Sequence, residues 1–230
     1  MTNSHFVTTP LASKRDRTRN ALLIAAQHLC LENPGSPLTV SAVTGRADMA
    51  HGTFYNHFES IENLLDGIGL LLLAEHSRLI ASVTAGLTDP VSVFALSTRQ
   101  TLRLVTDGHG YGLILFDSGL PVDRFLGGLR YRMGTDVLEG LRSERFRVHD
   151  AEVAISMIAG SVLGVALDLH RTTLRPSAIE SATERMLTSL GVNVRTAARV
   201  AHEPFTFVPP RPLPLTSLPH TLSSRQEGVV

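Results

Sequence analysis

Ten residues, His51–Ser60, read "HGTFYNHFES" and gather two imidazoles, a phenol, two hydroxyls, an amide and a glycine. Such a set could ligate a metal, hold a nucleotide or present hydrogen-bonding groups to DNA. As zinc ligands, His51 and His57 lie six apart, off any common helical face, with no cysteine near them. Enzymatic uses lack their usual companions. The chain has no Gly-rich phosphate loop, no G-x-S-x-G, no H-E-x-x-H and no paired cysteines. We expect no metal and no cofactor.

Composition sets the remaining bounds. The 230 residues are 43% hydrophobic, enough for a substantial core, and carry 21 basic against 21 acidic residues. With no net charge, any role with nucleic acid must rest on a local patch such as "SKRDRTR", where Lys14, Arg15, Arg17 and Arg19 face one acid, Asp16. The single cysteine, Cys30, excludes an internal disulfide framework and fits a reducing compartment. It falls on an apolar helix face, so a small core residue is expected rather than a redox sensor. The N-terminus shows no apolar stretch before a small-residue cleavage site, so the expectation is a cytoplasmic protein. "VAISMIAGSVLGVAL", Val153–Leu167, is apolar all round but shorter than the roughly 20 residues of a membrane span. It reads as a helix buried on several sides.

The elements that must position these groups are helical throughout. Leu22, Ala25, Ala26, Leu29 and Cys30 recur at three- and four-residue spacing, and Pro34 should stop that helix at Asn33. Thr39 is placed to cap a short helix, a second short one follows Asp48, and Ser60 is placed to cap a long one. Further helices are expected over about 91–106, 121–145, 150–171 and 177–190. From Glu203 six of the twelve prolines fall in 28 residues, which predicts a disordered or extended tail. The expected fold class is all-α: a tail over 1–13, a three-helix helix-turn-helix domain over 14–60, a larger helical regulatory and dimerisation domain over 61–202, and the Pro-rich tail 203–230.

"TVSAVTGRADMAHGTFYNHFESIENLL", behind "LLIAAQHLCLE", resembles the DNA-binding domain of the tetracycline-repressor (TetR) family of transcriptional regulators. The shared features run ungapped from Leu22 to Leu65: paired alanines, the Thr-Val opening, the Gly-Thr-Phe-Tyr run and the Phe-x-Ser before the fourth helix. The chain departs from the pattern at the turn Asp48-Met49-Ala50, where the family usually carries Gly-Val-Ser. It departs again at Ile61, where a lysine often meets a DNA phosphate. One backbone contact fewer is expected there.

On that resemblance the opening stretch becomes a reading helix. Gly52 would let the backbone lie close to the duplex. Thr53 and Tyr55 would offer hydroxyls, and His57 a ring N–H, to phosphates, while His51 and Asn56 would reach base edges. Phe54 and Phe58, four apart, should face the core. Thr39, Ser41, Arg46 and the basic cluster complete the expected DNA contacts; Arg46 could instead meet the end of its own helix.

The resemblance further implies a ligand pocket and a dimer surface, and hence a homodimer on a palindromic operator released by a small apolar or amphipathic effector. Polar or aromatic residues set in apolar helices are the pocket candidates: His109, Tyr111, Phe116, Arg130, Tyr131, Met133, Met157 and His170. Gly160 and Gly164, four apart, are the candidates for the dimer seam, with packing inside one subunit as the alternative. A helical protein-interaction module, or a small-molecule enzyme without DNA binding, is the alternative to the whole scheme.

Overall fold

The computed structural model describes residues 13–216, without side chains for 122–125. Ten helices are present among them: α1 Lys14–Glu32, α2 Val40–Arg46, α3 His51–Tyr55, α4 Ile61–Val83, α5 Pro90–Leu104, α6 Tyr111–Asp117, α7 Val122–Arg142, α8 Ala151–His170, α9 Ala178–Ser189 and α10 Val194–His202. The tail expected over 1–13 lies outside the described residues, Ser13 apart, as does the end of the Pro-rich tail.

Local chemistry explains the boundaries near the reading helix. Ser13 and Asp16 form a capping box, with the Ser13 hydroxyl accepting from the Asp16 N–H at 3.1 Å. Lys14, Arg15, Arg17 and Arg19 therefore belong to the first two turns of α1 and do not form a loose arm before it. Asn33 ends α1 ahead of Pro34, and Thr39 caps α2 by accepting from the Ala42 N–H at 3.2 Å. Asp48 turns the chain with a φ of 52°, filling the left-handed position that glycine would take more cheaply. Ser60 caps α4 through the Asn63 N–H at 3.2 Å.

Two hydrophobic clusters hold the fold. One joins Leu22, Leu23, Ala26, Val43 and Phe54 of the first three helices, with Phe58 just after α3, to Leu64, Leu65 and Ile68 of α4, and continues to Ile114 of α6. The other fills the body between α5, α7, α8, α9 and α10 around Phe94, Val137, Phe146, Ile158 and Leu187. The core of the N-terminal unit runs on into α4 and α6.

Three features differ from the sequence expectation. Helices α6 and α10 were not anticipated; α6 is only seven residues long, whereas α10 places Ala197, Val200 and Ala201 on one buried face. Helix α8 is not buried on several sides. Its 20 residues satisfy the length and apolar composition of a membrane span, but Ile155, Ile158, Ala159, Val162, Ala166 and Leu169 pack into the body while Val153, Ser156, Met157, Gly160, Ser161 and Gly164 are exposed. The third is the anchoring of the tail, which composition left as either disordered or extended. Residues 203–216 form an extended strap pinned across the body, and Leu215 is buried in the N-terminal core.

Polar side chains supply what that extended backbone needs. Arg99 donates to the Glu203 carbonyl at 2.6 Å, and Gln100 exchanges two hydrogen bonds with the Val208 backbone at 3.0 and 2.8 Å. The Tyr111 hydroxyl donates to the Arg211 carbonyl at 3.0 Å. Buried Glu75 accepts from the Arg211 N–H at 2.9 Å and pairs with the Arg211 and Arg78 guanidiniums. Burial alone would raise the Glu75 carboxyl pKa, but those donors and cations hold it below its ordinary value. A segment rich in proline cannot make a regular ladder of its own, so partners from the helices order it.

Candidate nucleic-acid interface and effector cavity

Helix α3 is anchored by its two phenylalanines. Phe54 and Phe58 are buried with ring centroids 5.7 Å apart, which turns the other side of α3 outward. His51, Gly52, Tyr55 and Asn56 form that exposed surface, with the His51 and Tyr55 rings 5.6 Å apart one turn from each other. A Cβ on Gly52 would meet nothing within 4 Å, so the backbone there is open to close approach. Thr53 is half-buried beside them, and Thr39 and Ser41 at the start of α2 are exposed. Lys14, Arg15 and Arg17 are exposed on α1.

Two of the anticipated contact residues have other partners, and a third is partly withdrawn from the surface. Arg46 forms a two-pronged ion pair with Glu32 at 2.8 and 2.5 Å, tying the end of α2 to the end of α1. Arg19 lies over the Phe58 ring, 4.9 Å from its centroid, and so caps the aromatic core. His57 is half-buried, and burial followed by the nearby Arg15 and Arg19 cations lowers its pKa, leaving a neutral ring. It can donate one N–H but brings no charge. Ile61 packs against the head core.

A small cavity lies in the body. His76 and Ile80 of α4, Phe94, Ser97, Thr98 and Thr101 of α5, Leu129, Arg132, Met133 and Asp136 of α7, and Val162 of α8 line it. Burial, then Arg132, holds the His76 imidazole pKa down at about 4, so it is neutral at physiological pH. Burial raises the Asp136 carboxyl against the opposing influence of Arg132. Of the eight pocket candidates named from sequence, Met133 alone lines this cavity. His109 is exposed and pairs with Asp107 at 2.8 Å; Arg130, Tyr131 and Met157 are exposed. Tyr111 is bound to the strap, and His170 pairs with Asp117 at 2.7 Å while stacking near Phe116.

Residues 89–203 match the tetracyclin repressor-like C-terminal domain, a span of half the chain. The chain belongs to the TetR family. RolR in complex with resorcinol is similar to it at 26% identity and a TM-score of 0.71, over 84% of this chain and 97% of RolR. NalD of Pseudomonas aeruginosa, the secondary repressor of a multidrug efflux pump, shares the fold at 17% identity and a TM-score of 0.61, over 77% and 98% of the two chains. FadR of Bacillus subtilis, solved with stearoyl-CoA, shares it at 20% identity and 0.56, over 74% and 97%. No curated protein matches the sequence.

As a TetR-family regulator the chain is a transcription factor, and regulators of this family bind operators and small molecules and act as dimers. No group of three or more His, Cys, Asp or Glu side chains among the described residues could hold a metal. Cys30 is buried, and burial pushes its thiol up to about 11, so it is not a reactive thiolate. The cavity residues that sequence reasoning missed, His76, Ser97, Thr98 and Thr101, sit one turn or less apart on amphipathic helices. A histidine and three hydroxyls on the inward face of α4 and α5 were the available signal.

Proposed function

We propose that this TetR-family regulator is a repressor that occupies a palindromic operator as a homodimer and is released by a small amphipathic effector. His51 and Asn56 reach base edges in the major groove, Gly52 lets the backbone lie close, and Thr53 and Tyr55 offer hydroxyls to phosphates. Thr39, Ser41, His57 and the α1 cations Lys14, Arg15 and Arg17 hold phosphates. Two copies pair through the exposed face of α8 about Gly160 and Gly164, with α9 beside it. The units are then a reading head over 14–60, a regulatory and dimerisation body over 61–202 and the C-terminal strap. The protein works in the cytoplasm.

One observation carries the reading: α4 belongs to both ends of the device. Its first turns bury Leu64, Leu65 and Ile68 in the head core, and three turns later His76 and Ile80 line the cavity. The 23 residues of α4 span roughly 35 Å, so a 5° tilt imposed at the cavity end displaces the head by roughly 3 Å. A ligand acts only through its different affinity for the two tilts. The likeness to RolR, solved with resorcinol, supports an effector of compact size.

The decisive experiment is fluorescence anisotropy on an inverted repeat taken from upstream of this gene or its neighbour, titrated from about 50 to 200 mM salt. Six α1 cations per dimer predict a log–log slope of about −5. A slope near zero would remove the DNA-binding reading and leave the protein-interaction alternative.

A further inference from the structure

Three residues of the cavity wall each carry a buried polar atom for which the protein supplies no partner: Nδ1 of His76, Oγ of Ser97 and Oγ1 of Thr98. Buried polar groups are nearly always paired, so three orphans around one cavity are an unusual concentration. They also have a definite hydrogen-bonding polarity.

The polarity follows from Thr101. Its hydroxyl has one proton, and it lies 2.7 Å from the Ser97 carbonyl, which can only accept. That proton is therefore committed. The same Oγ1 lies 2.8 Å from Nε2 of His76, so here the nitrogen must donate. Since the His76 ring is neutral it has a single proton, and that proton is on Nε2. Nδ1 is left as a bare lone pair on a residue of the cavity wall. It needs a donor.

The walls define the rest of the guest. Ile80, Phe94, Leu129, Met133 and Val162 give an apolar surround on four helices. Asp136 and Arg132 both line the cavity and offset each other, so neither sign of charge gains a net attraction, and an ion of either sign would lose its hydration in an apolar enclosure. We propose that the cavity selects a small uncharged molecule with a hydroxyl group on a compact apolar frame, the hydroxyl donating to Nδ1 of His76 while Ser97 and Thr98 meet its oxygen or a second polar group. This chemistry deepens the effector reading above and rests on it for its regulatory meaning, but the binding itself can be measured without DNA.

Calorimetry on the full chain with phenol, toluene and benzoate tests the polarity directly. Phenol and toluene are close in shape and differ in the donor; benzoate adds the charge. The expected result is phenol at least tenfold tighter than toluene and than benzoate. His76→Leu should bring the phenol-to-toluene ratio down to about one. Thr98→Val, nearly isosteric, should weaken phenol several-fold and leave toluene unchanged, which keeps the test valid if His76→Leu fails to fold. Met133→Trp should abolish both by filling the cavity. Toluene as tight as phenol, benzoate as the tightest ligand, or a folded His76→Leu that keeps its preference would each overturn the proposal. Phenol that binds as expected yet leaves operator affinity unchanged would uphold the site and remove only its effector role.

Discussion

Gln27 of α1 and Leu215 of the C-terminal strap clasp each other through both amide atoms: Oε1 of Gln27 accepts from the Leu215 N–H at 2.7 Å, and Nε2 donates to the Leu215 carbonyl at 2.8 Å. The two residues are 188 positions apart in sequence and both are buried. Gln27 therefore stands in for a neighbouring strand, satisfying a backbone amide that proline-rich flanks cannot satisfy. The clasp joins the helix that bears Lys14, Arg15 and Arg17 to a strap that also holds α4, α5 and α6.

Gln27→Leu keeps the volume of the side chain and removes both partners of Leu215. The loss leaves a buried N–H and a buried carbonyl unpaired, a cost of about 2 kcal/mol or more. Urea denaturation should show the midpoint shifted downward with the slope unchanged. A midpoint within error of wild type would mean that the strap contributes nothing to the stability of the head.

Acid should destabilise the protein through His76. The unfolded imidazole titrates near 6.5 and the folded one at about 4, so between those values the unfolded chain binds the additional proton. Stability contributed by the neutral ring is complete above about pH 6.5 and falls as pH is lowered towards 4, by roughly 3 kcal/mol in all. Arg132 acts in the same direction. Asp136, whose carboxyl is raised by burial, partly offsets it by taking up its proton first in the folded state. Urea midpoints at pH 7.5, 5.5 and 4.5 should therefore drop more steeply for wild type than for His76→Gln; parallel curves would refute the assignment.

How much of this was legible in the sequence differs between the two ends of α4. The caps at Thr39 and Ser60, the stop at Asn33 and the inward phenylalanines are local, and local spacing specifies them. The partners of Arg19 and Arg46 are not local: Glu32 is 14 residues from Arg46, and only the packing of α2 on α1 brings them together. The cavity was missed for the same reason. Tyr131 and Met157 look like pocket residues in a one-dimensional reading, yet they lie on the outer faces of α7 and α8, while His76 and Thr101 meet only because α4 crosses α5. The strap was half legible. Composition described a chain that cannot fold by itself, and side chains from four helices fold it instead.

On the proposed reading, the exposed residues of α3 and its C-cap should divide into readers and positioners. Tyr55→Ala should weaken binding to operator and random DNA by a common factor, because a phosphate contact carries no sequence information. Asn56→Ala should weaken the operator selectively, by roughly 1–3 kcal/mol for a lost base contact. His51→Ala should behave as Asn56→Ala does. Both side chains are exposed and away from the core, so circular dichroism should be unchanged. Equal loss on operator and random duplex for Asn56→Ala would move that residue from the bases to the backbone.

The outward face of α8 yields the sharpest test of assembly. Gly160 and Gly164 sit within it, and a Cβ on either would meet nothing within 4 Å inside the subunit. Close packing within one chain therefore cannot explain them, although glycine in a helix interior costs about 1 kcal/mol relative to alanine. Val153 and Met157, 53% and 62% exposed, extend the same face with large apolar side chains that a lone subunit leaves in water. Gly164→Ala should stabilise the isolated fold slightly and perturb the seam little. Gly164→Leu has room in the monomer and none against a closely approaching second helix. Sedimentation should accordingly find wild type and Gly164→Ala as dimers at micromolar concentration and Gly164→Leu as a monomer with unchanged helicity, its operator affinity lost because one reading head spans only half a palindrome. A Gly164→Leu protein that still dimerises and still binds the operator would place the two-fold axis on another face.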